Sequence, residues 1–574
     1  MLNLDFPSVA CAACLLGPIS HILLWMRLDL DIVSHQLLVL ANLAVLLPPV
    51  ALYFRGATFI DAVLITWTAD ICYTISLLTS IFIYRAFFHP LRSYPGPFWA
   101  RISVFWKVKH FQASNFQAYK VIDDLHHAHG DIVRLGPRQL SINEPSAYQA
   151  IYGAASECRR LSHMEHIRKN LQSLADPAEH HARRKVWDHG LNAKACQSYL
   201  PRINDITNRL CGRFAGFNGR PITVNDWCHF YTFDIMGDLG FGRSYGQIES
   251  GSAHPAITKV QNFLKAGVIA LQMLWIVNFL QLIPGLDDPM RELKEWAEQL
   301  LKERDERTTE KEREENRDLM SYVEESRRVV DSRWPMSDKD IAEDAVTLQV
   351  AGSDTSYSVL VNLCHYLANY PELQETIRKE VLGTFEGGDG SNGPTWSRLA
   401  STQQCPYLDA AVNEVLRRHA PVPMGTMRET PDHPMEIAGK VIPAKTIVSC
   451  PIWTMQYDER CFRDADKFMP ERWLDRSHPE SRTDLMLDKR GFVPFSMGGM
   501  NCAGKYFAYM EIKVFVAKVL RKFEIVFPNT QLFEEKDGHQ AQLVRDQQLV
   551  NGTKDYLTQW ASDVEVCFLP LEER

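Results

Sequence analysis

The sequence predicts a mainly α-helical fold with small β-sheets, preceded by N-terminal transmembrane helices. Three observations carry that expectation. Long apolar stretches fill the first ninety residues; the rest of the chain has mostly helical hydrophobic periodicity broken by short strand-like pieces; and a glycine-rich loop sets one cysteine at the mouth of a helix. The division that follows is residues 1–94 as a membrane anchor with up to three transmembrane helices and residues 95–574 as a globular domain.

The apolar stretches run over 8–26, 36–54 and 57–84, each near the roughly 20 residues that cross a bilayer as helix. The first lacks the charged leader of a signal peptide and further spans follow it at once, so all three read as retained. A carboxylate at mid-membrane costs about 2.5–3.5 kcal/mol, which places Asp61 at the edge of the third span and requires Asp70 to face a partner helix or to shift the span. Arg85, Arg92, Arg101 and Lys107 follow, and the excess of cations puts everything downstream on the cytoplasmic face. Tyr94-Pro95-Gly96-Pro97 then forms a stiff bend, since two prolines without N–H groups cannot continue a helix.

With 574 residues, 46% of them hydrophobic, the chain can bury a large core. A formal charge of −8 gives no basic surface, which argues against nucleic acid and for neutral or lipophilic ligands. The 13 cysteines are scattered from Cys11 to Cys567 without repeated CxxC pairs, so they form neither a disulfide framework nor a zinc ribbon, and the bulk of the chain belongs in a reducing compartment. Strand-like pieces occur at 131–135 and 441–449. The charged run 302–317 reads as a solvated helix face with its following loop, and the glycine-rich 387–394 as a surface connection.

The sharpest segment is Phe495-Ser496-Met497-Gly498-Gly499-Met500-Asn501-Cys502-Ala503-Gly504, followed by a helix over 505–520. Glycines at 498, 499 and 504 let backbone approach a flat cofactor, and the positive end of the following helix favours a thiolate at Cys502. A glycine-rich turn with a buried cysteine is the alternative. The segment resembles the haem-binding loop of the cytochrome P450 family, Phe-x-x-Gly-x-Arg/His-x-Cys-x-Gly, with Phe495, Gly498, Cys502 and Gly504 matching. Met500 departs from it, standing where the family commonly has a cation for a haem propionate.

Further elements follow in the family's order. Glu414 and Arg417 share a face of the helix 407–419, and Arg472 lies in Phe468-Met469-Pro470-Glu471-Arg472-Trp473; the resemblance implies a structural Glu-Arg-Arg cluster bracing the cysteine loop. Ser337-Asp338-Lys339-Asp340 reads as a capping box opening a long helix, within which Ala351-Gly352-Ser353-Asp354-Thr355 would bend to make room beside a ligand. The same residues also read as a polar patch on a buried helix. The resemblance implies that Asp354 and Thr355 relay protons for oxygen activation. His180 and Arg184, one turn apart, offer cations that would reach the propionates and stand in for Met500, or else form an exposed basic face; Arg428 resembles another propionate contact.

The resemblance thus implies a haem-thiolate monooxygenase holding haem b (iron protoporphyrin IX) through Cys502, in the endoplasmic reticulum membrane with its catalytic domain toward the cytosol. With no dinucleotide fingerprint or fused flavin module, electrons from NADPH would come through a separate NADPH-cytochrome P450 reductase, with cytochrome b5 as an optional second donor. The substrate would be a lipophilic small molecule of fungal secondary metabolism, hydroxylated or epoxidised. It would be lined by residues before His180, 348–355, 422–426 and a hairpin turn at Val550-Asn551-Gly552. A desaturase or rearrangement enzyme and a non-catalytic haem sensor are the other readings; the Asp354-Thr355 pair argues against the sensor.

Overall fold

Apolar helices open the chain: α1 (Phe6–Ser20), α2 (Leu30–Phe54) and α3 (Phe59–Ile83). The computed structural model describes residues 6–571 apart from 28–29, 274, 278–282, 284, 286–287, 308–316, 330–333, 386–394, 401–402 and 529–537. With the turns that continue them, Phe6–Trp25 and Phe59–Phe88 are long and apolar enough to cross a membrane; in α2 the apolar part is the shorter Val39–Phe54, which contains Pro48 and Pro49. Helix α1 lies on α3, where Ser20 Oγ meets the Tyr73 hydroxyl at 3.0 Å and His21 Nδ1 meets Ser80 Oγ at 2.9 Å. Such interhelical hydrogen bonds help hold apolar helices together where burial alone gives no drive. Asp61 sits in the first turn of α3 behind the Thr58 cap. Of the two expectations for Asp70, a partner helix or a shifted span, the first is not met: Asp70 is exposed on α3.

The proline bend is fastened to the globular body. The Arg134 N–H donates to the Pro95 carbonyl at 2.7 Å, and Gly96 lies so close that an added Cβ would stand 2.5 Å from the Arg134 carbonyl oxygen.

The body is mainly helical. Its helices include α4 (Phe105–Ala113), α5 (Ala118–His129), α6 (Pro145–Tyr152), α7 (Pro177–Leu191), α8 (Ala193–Gly216), α9 (Val224–Phe241), α10 (Pro255–Ala270), α11 (Asp338–Asn369), α12 (Pro371–Phe385), α13 (Pro406–Arg418), α14 (Lys505–Lys522) and α15 (Gly538–Gly552). Small sheets flank them. Strands β1 (Ile132–Gly136), β2 (Gln139–Ile142), β4 (Arg428–Glu429) and β7 (Ile447–Ser449) join in the order β1-β2-β7-β4; β3 (Ile222–Thr223), β8 (Phe523–Val526) and β11 (Glu565–Pro570) in the order β3-β11-β8. Two hairpins, β5 (Met435–Ile437) with β6 (Lys440–Ile442) and β9 (Lys554–Tyr556) with β10 (Thr558–Trp560), complete them.

The long helix α11 begins at the expected capping box, with Ser337 and Asp340 each satisfying the other's backbone N–H. It runs through the core between α9, α13 and α14, nearly all of its residues from Ile341 onward being buried. It shows no break at Gly352. An added Cβ there would stand 2.4 Å from Met236 Sδ, so the glycine seats α11 against α9 rather than opening room for a ligand.

Three other expectations are corrected. The piece 441–449 is not one strand: Pro443 lacks an N–H and Lys445 turns at φ 53°, so β6 and β7 go to different sheets. Asn551-Gly552 ends α15 instead of turning a hairpin, the Thr553 hydroxyl closing the helix on the Leu549 carbonyl at 2.9 Å; the hairpin lies just beyond, with Leu557 (φ 73°) at its tip. Within 302–317, Arg304 is buried, pairing with Asp318 and Glu324 at 2.8 Å each, so that helix face is not wholly solvated. Residues 308–316 and the segment 387–394 lie outside the described residues.

Candidate active site

The site is built around the loop that precedes α14. Gly498, at φ 72°, packs against the end of α6, where a Cβ would lie 2.3 Å from the Tyr152 carbonyl oxygen. Its left-handed backbone and that close approach both require glycine. The loop closes when the Cys502 N–H donates to the Phe495 carbonyl at 2.9 Å, and the Phe495 ring packs 5.3 Å from Tyr509 on α14.

Cys502 is thereby held at the mouth of α14. It is exposed, whereas every other cysteine beyond the N-terminal helices is buried. The N–H groups of Gly504 and Lys505 and the charge of Arg184 pull its pKa down, but the surrounding protein outweighs them and the thiol is pushed up. The helix end favours thiolate as the sequence suggests, without being sufficient alone. Where Cβ atoms would stand at Gly499 and Gly504 there is open space, apart from Cys502 Sγ at 3.9 Å from the latter.

A cationic group gathers beside the loop from distant parts of the chain. Arg184 on α7 donates to the Asn501 carbonyl at 2.7 Å and to Asn501 Oδ1 at 2.9 Å. Arg428 on β4 is buried, with its guanidinium 5.2 Å from the Tyr152 ring, and donates to Thr426 Oγ1 and the Met427 carbonyl. His180, one turn before Arg184, is buried; burial and the charges of Arg160, Arg184 and Arg428 push its pKa down to about 3, so it enters the group as a neutral ring and not as the expected cation. Arg160, which no spacing or motif marked, belongs to the same group. Burial and its fellow arginines lower it to about 9, and its one hydrogen bond among the described residues goes to the Leu171 carbonyl at 2.6 Å.

Among the described residues, only Arg184 of these four has a carboxylate within reach, Asp188 at 2.7 Å. Buried guanidiniums without carboxylates are costly. A dianionic ligand supplies the missing charge, and a thiol facing open space at the same place suits an iron porphyrin with two propionates. The residues present therefore fit haem.

The bracing cluster assembles beside it, wholly buried. Glu414 accepts from Arg417 at 2.9 and 2.8 Å, from Arg472 at 3.2 Å, from Trp473 Nε1 at 2.8 Å and from the Met469 N–H at 3.0 Å. The arginines spend their remaining donors on the carbonyls of Gln456, Ala465 and Lys467, and of Arg463, Asp464 and Leu485. Every charge is thus paired or hydrogen-bonded, and the guanidiniums hold Glu414 down at about 2 against its burial.

On α11, Asp354 and Thr355 point apart. The Thr355 hydroxyl donates to the Ala351 carbonyl at 2.8 Å. Asp354 is fully buried; among the described residues neither oxygen has a hydrogen-bond partner, and His229 of α9 faces it with Nε2 3.4 Å from Oδ1. His229, whose ring leans on Tyr357 at 4.9 Å, escaped the sequence reading because nothing in α9 marks it.

The comparisons with known proteins agree with this geometry. The family model "Cytochrome P450" matches residues 95–551. The chain is 33% identical over 521 residues to cytochrome P450 monooxygenase FCK2 of Fusarium pseudograminearum, covering 89% of this chain and 90% of that protein. It is 33% identical over 468 residues to cytochrome P450 monooxygenase phqL of Penicillium fellutanum, covering 80% and 79%. It is 30% identical over 488 residues to tryprostatin B 6-hydroxylase of Neosartorya fischeri, covering 83% of each chain. A loop that presents one exposed cysteine beside a carboxylate-poor arginine group, on a helical fold matched over most of its length, leaves a single conclusion: the chain belongs to the cytochrome P450 family and is a haem-dependent monooxygenase.

Proposed function

We propose that the chain hydroxylates or epoxidises a lipophilic small molecule in fungal secondary metabolism, with residues 1–94 as its membrane anchor and 95–574 as its catalytic domain. The observation that carries the site assignment is Cys502, the one cysteine of the globular body left exposed, set beside a group in which, among the described residues, only Arg184 has an acidic partner. Cys502 would bind the iron of haem b, with Phe495, Gly498 and Gly504 shaping the loop. Arg184, Arg428, His180 and Arg160 would hold the propionates, which gives the contact that Met500 cannot make. Bound there, the haem supplies oxygen activation, and the thiolate pushes electron density toward the iron.

The protein's own residues do the rest. Asp354 and Thr355 would pass protons toward the cofactor, Asp354 by turning from its buried position near His229 and Thr355 through the hydroxyl now resting on Ala351. Glu414, Arg417 and Arg472 keep the loop's supports fixed. The substrate is proposed to be a terpenoid, polyketide or alkaloid, and one relative is named as a tryprostatin B 6-hydroxylase. Electrons would come from NADPH through a cytochrome P450 reductase, with cytochrome b5 as an optional donor, on the cytosolic face of the endoplasmic reticulum. The two N-terminal helices long enough to span a bilayer support that placement.

The test is the carbon monoxide difference spectrum of the reduced protein, wild type against Cys502→Ser. Wild type is expected to show the far red-shifted thiolate band and the variant to lose it. A well-folded wild type that binds no haem, or gives only a neutral-ligand spectrum, overturns the assignment.

A further inference from the structure

Where the apolar helices meet the globular body, positive charge gathers without a counter-charge. Arg85 lies in the turn Tyr84–Phe88 that continues α3, Arg101 in the short helix Phe98–Ile102 and Arg134 in β1. Backbone contacts bring the three together. Arg85 Nη1 donates to the Ile102 carbonyl at 2.7 Å, Arg101 Nη2 reaches the Gly96 carbonyl at 3.5 Å, and Gly96 lies against the Arg134 backbone. Among the described residues none of the three has a carboxylate within ion-pair reach. Burial and the like charges of Arg101 and Arg85 push the Arg134 pKa down to about 10. His89 brings no relief, since burial and the charges of Arg134 and Arg85 push it down to about 4 and leave a neutral ring. Arg134 Nη1 and Arg101 Nε are buried without hydrogen-bond partners, whereas Arg85 and Arg101 as whole side chains are only half-buried and open to a ligand.

A groove between α1 and α3 adjoins this group. Pro18, Ile22 and Met26 on one side and Ile83, Tyr84 and Phe88 on the other wall a space of about 520 Å³. Tyr84 carries the link: its ring meets His21, also in the groove, at 5.5 Å and His89 at 5.5 Å, and Arg85 follows it in the chain. Phe87, Phe88, Phe98 and Trp99, next to the arginines in sequence, are all exposed. Exposed aromatic side chains beside a membrane span mark the depth of the lipid headgroups. Guanidiniums without an anion in such a place are costly, and charge-assisted hydrogen bonds to a phosphate offset that cost.

We propose that Arg85 and Arg101, backed by the buried charge of Arg134, bind the phosphate of one anionic phospholipid whose acyl chain lies in the groove between α1 and α3. This rests on the reading of residues 1–94 as a membrane anchor and gives that anchor a partner. A run of surface cations attracts any anionic leaflet diffusely. Here the charges come from three separate parts of the chain and adjoin an apolar groove, which makes a seat for a single molecule. A lipid held there joins the end of α3 to the proline bend and, through it, to β1, and so steadies the body against the membrane.

The experiment uses the full-length haem-loaded protein in non-ionic detergent micelles, offered dioleoylphosphatidic acid, dioleoylglycerol, which lacks the phosphate, or inorganic phosphate. Binding is read as lipid retained per chain by native mass spectrometry and as the shift in melting temperature. Phosphatidic acid should be retained at least about fivefold more than dioleoylglycerol, the factor that one cation at headgroup depth supplies. Arg85→Gln and Arg101→Gln should each lower its retention about fivefold, and Arg85→Lys should keep part of it. Lys109→Gln removes an equal charge from an exposed position on α4 and should stay within about twofold of wild type. Ile22→Trp narrows the groove without touching a charge and should also lower retention. Equal retention of the two lipids by wild type overturns the proposal, as does unchanged retention in the arginine variants that keep the thiolate band. Where neither arginine variant keeps that band, the comparison of the two lipids in wild type decides. A loss as large in Lys109→Gln would mean diffuse attraction, and a melting shift from inorganic phosphate equal to that from phosphatidic acid would mean a soluble ion; either overturns the proposal. Unchanged retention in Ile22→Trp overturns the placement of the acyl chain. Release of wild type from membranes by an alkaline wash would instead strike the anchor reading, and retention in micelles would still report on the arginines.

Discussion

Arg184 grips Asn501 with two donors, 2.7 Å to its carbonyl and 2.9 Å to its side-chain oxygen, while its Nε is held by Asp188 at 2.7 Å. The residue before Cys502 is therefore tied to a helix more than three hundred positions upstream. Arg184→Ala should lower the haem retained after purification and cost about 1.5–3 kcal/mol in urea unfolding, the range for a hydrogen bond from a charged group. Arg184→Lys should rescue little, because an ammonium cannot reproduce the planar fork. Full haem content and an unchanged urea midpoint in Arg184→Ala would show that the grip is incidental.

Glu414 converts buried charge into acid sensitivity. Its pKa falls from 4.5 to about 2 on folding because Arg417 and Arg472 stabilise the carboxylate. A depressed carboxyl contributes stability that is complete above the unfolded value and is lost as pH falls through the folded one, so the window runs from about 4.5 down to about 2. At about 1.4 kcal/mol per pH unit the loss is on the order of 3 kcal/mol. Glu414→Gln leaves two guanidiniums facing a neutral amide; it should destabilise the protein by about 3–5 kcal/mol at pH 7 and flatten the acid limb. Urea midpoints measured from pH 6 to 3 decide this, and equal slopes in the two proteins would refute it.

Those two clusters mark what the sequence could and could not reveal. Glu414, Arg417, Arg472 and the loop around Cys502 are local patterns in fixed order, and the structure brings each set together. Arg160 and His229 carry no local signature; each gains its significance from a neighbour that only the tertiary fold supplies. Gly352 shows the opposite failure, since its spacing suggested a ligand groove while the packing of Met236 accounts for it. The Asn551-Gly552 hairpin failed because α15 runs through that pair, tertiary context overriding a turn-favouring dipeptide.

Glu511 should make the protein less stable in base. On α14 beside Ser356 of α11 it is fully buried, and burial raises its pKa from 4.5 to about 8. A raised acid binds its proton more tightly in the folded state, so stability is full below about 4.5 and declines as pH rises toward about 8. Glu511→Gln has no charge to bury. The variant should match wild type near pH 5 and melt higher at pH 8.5, by several degrees on a domain of this size. A variant whose melting temperature tracks that of wild type across the range would mean that the carboxyl is ionised and solvated.

His229 Nε2 lies 3.4 Å from Asp354 Oδ1, and among the described residues neither of these facing atoms has a hydrogen-bond partner. As a positioning residue it would hold the acid turned from Thr355 and steady the carboxylate whenever Asp354 has given up its proton. His229→Phe keeps a ring against Tyr357 and removes the nitrogen, so packing should survive while the acid loses its neighbour. Product formed per NADPH should then fall and hydrogen peroxide released per NADPH should rise, with a larger solvent deuterium effect, because one positioned proton-transfer group is worth about 10²–10⁴ in rate. Asp354→Asn should show the same pattern, and the double variant should be no worse than the worse single one if the two act as a unit. The melting temperature and the thiolate band separate this from collapse. If His229→Phe keeps both and also keeps wild-type coupling of NADPH to product, His229 is a packing residue and Asp354 takes its protons by another route.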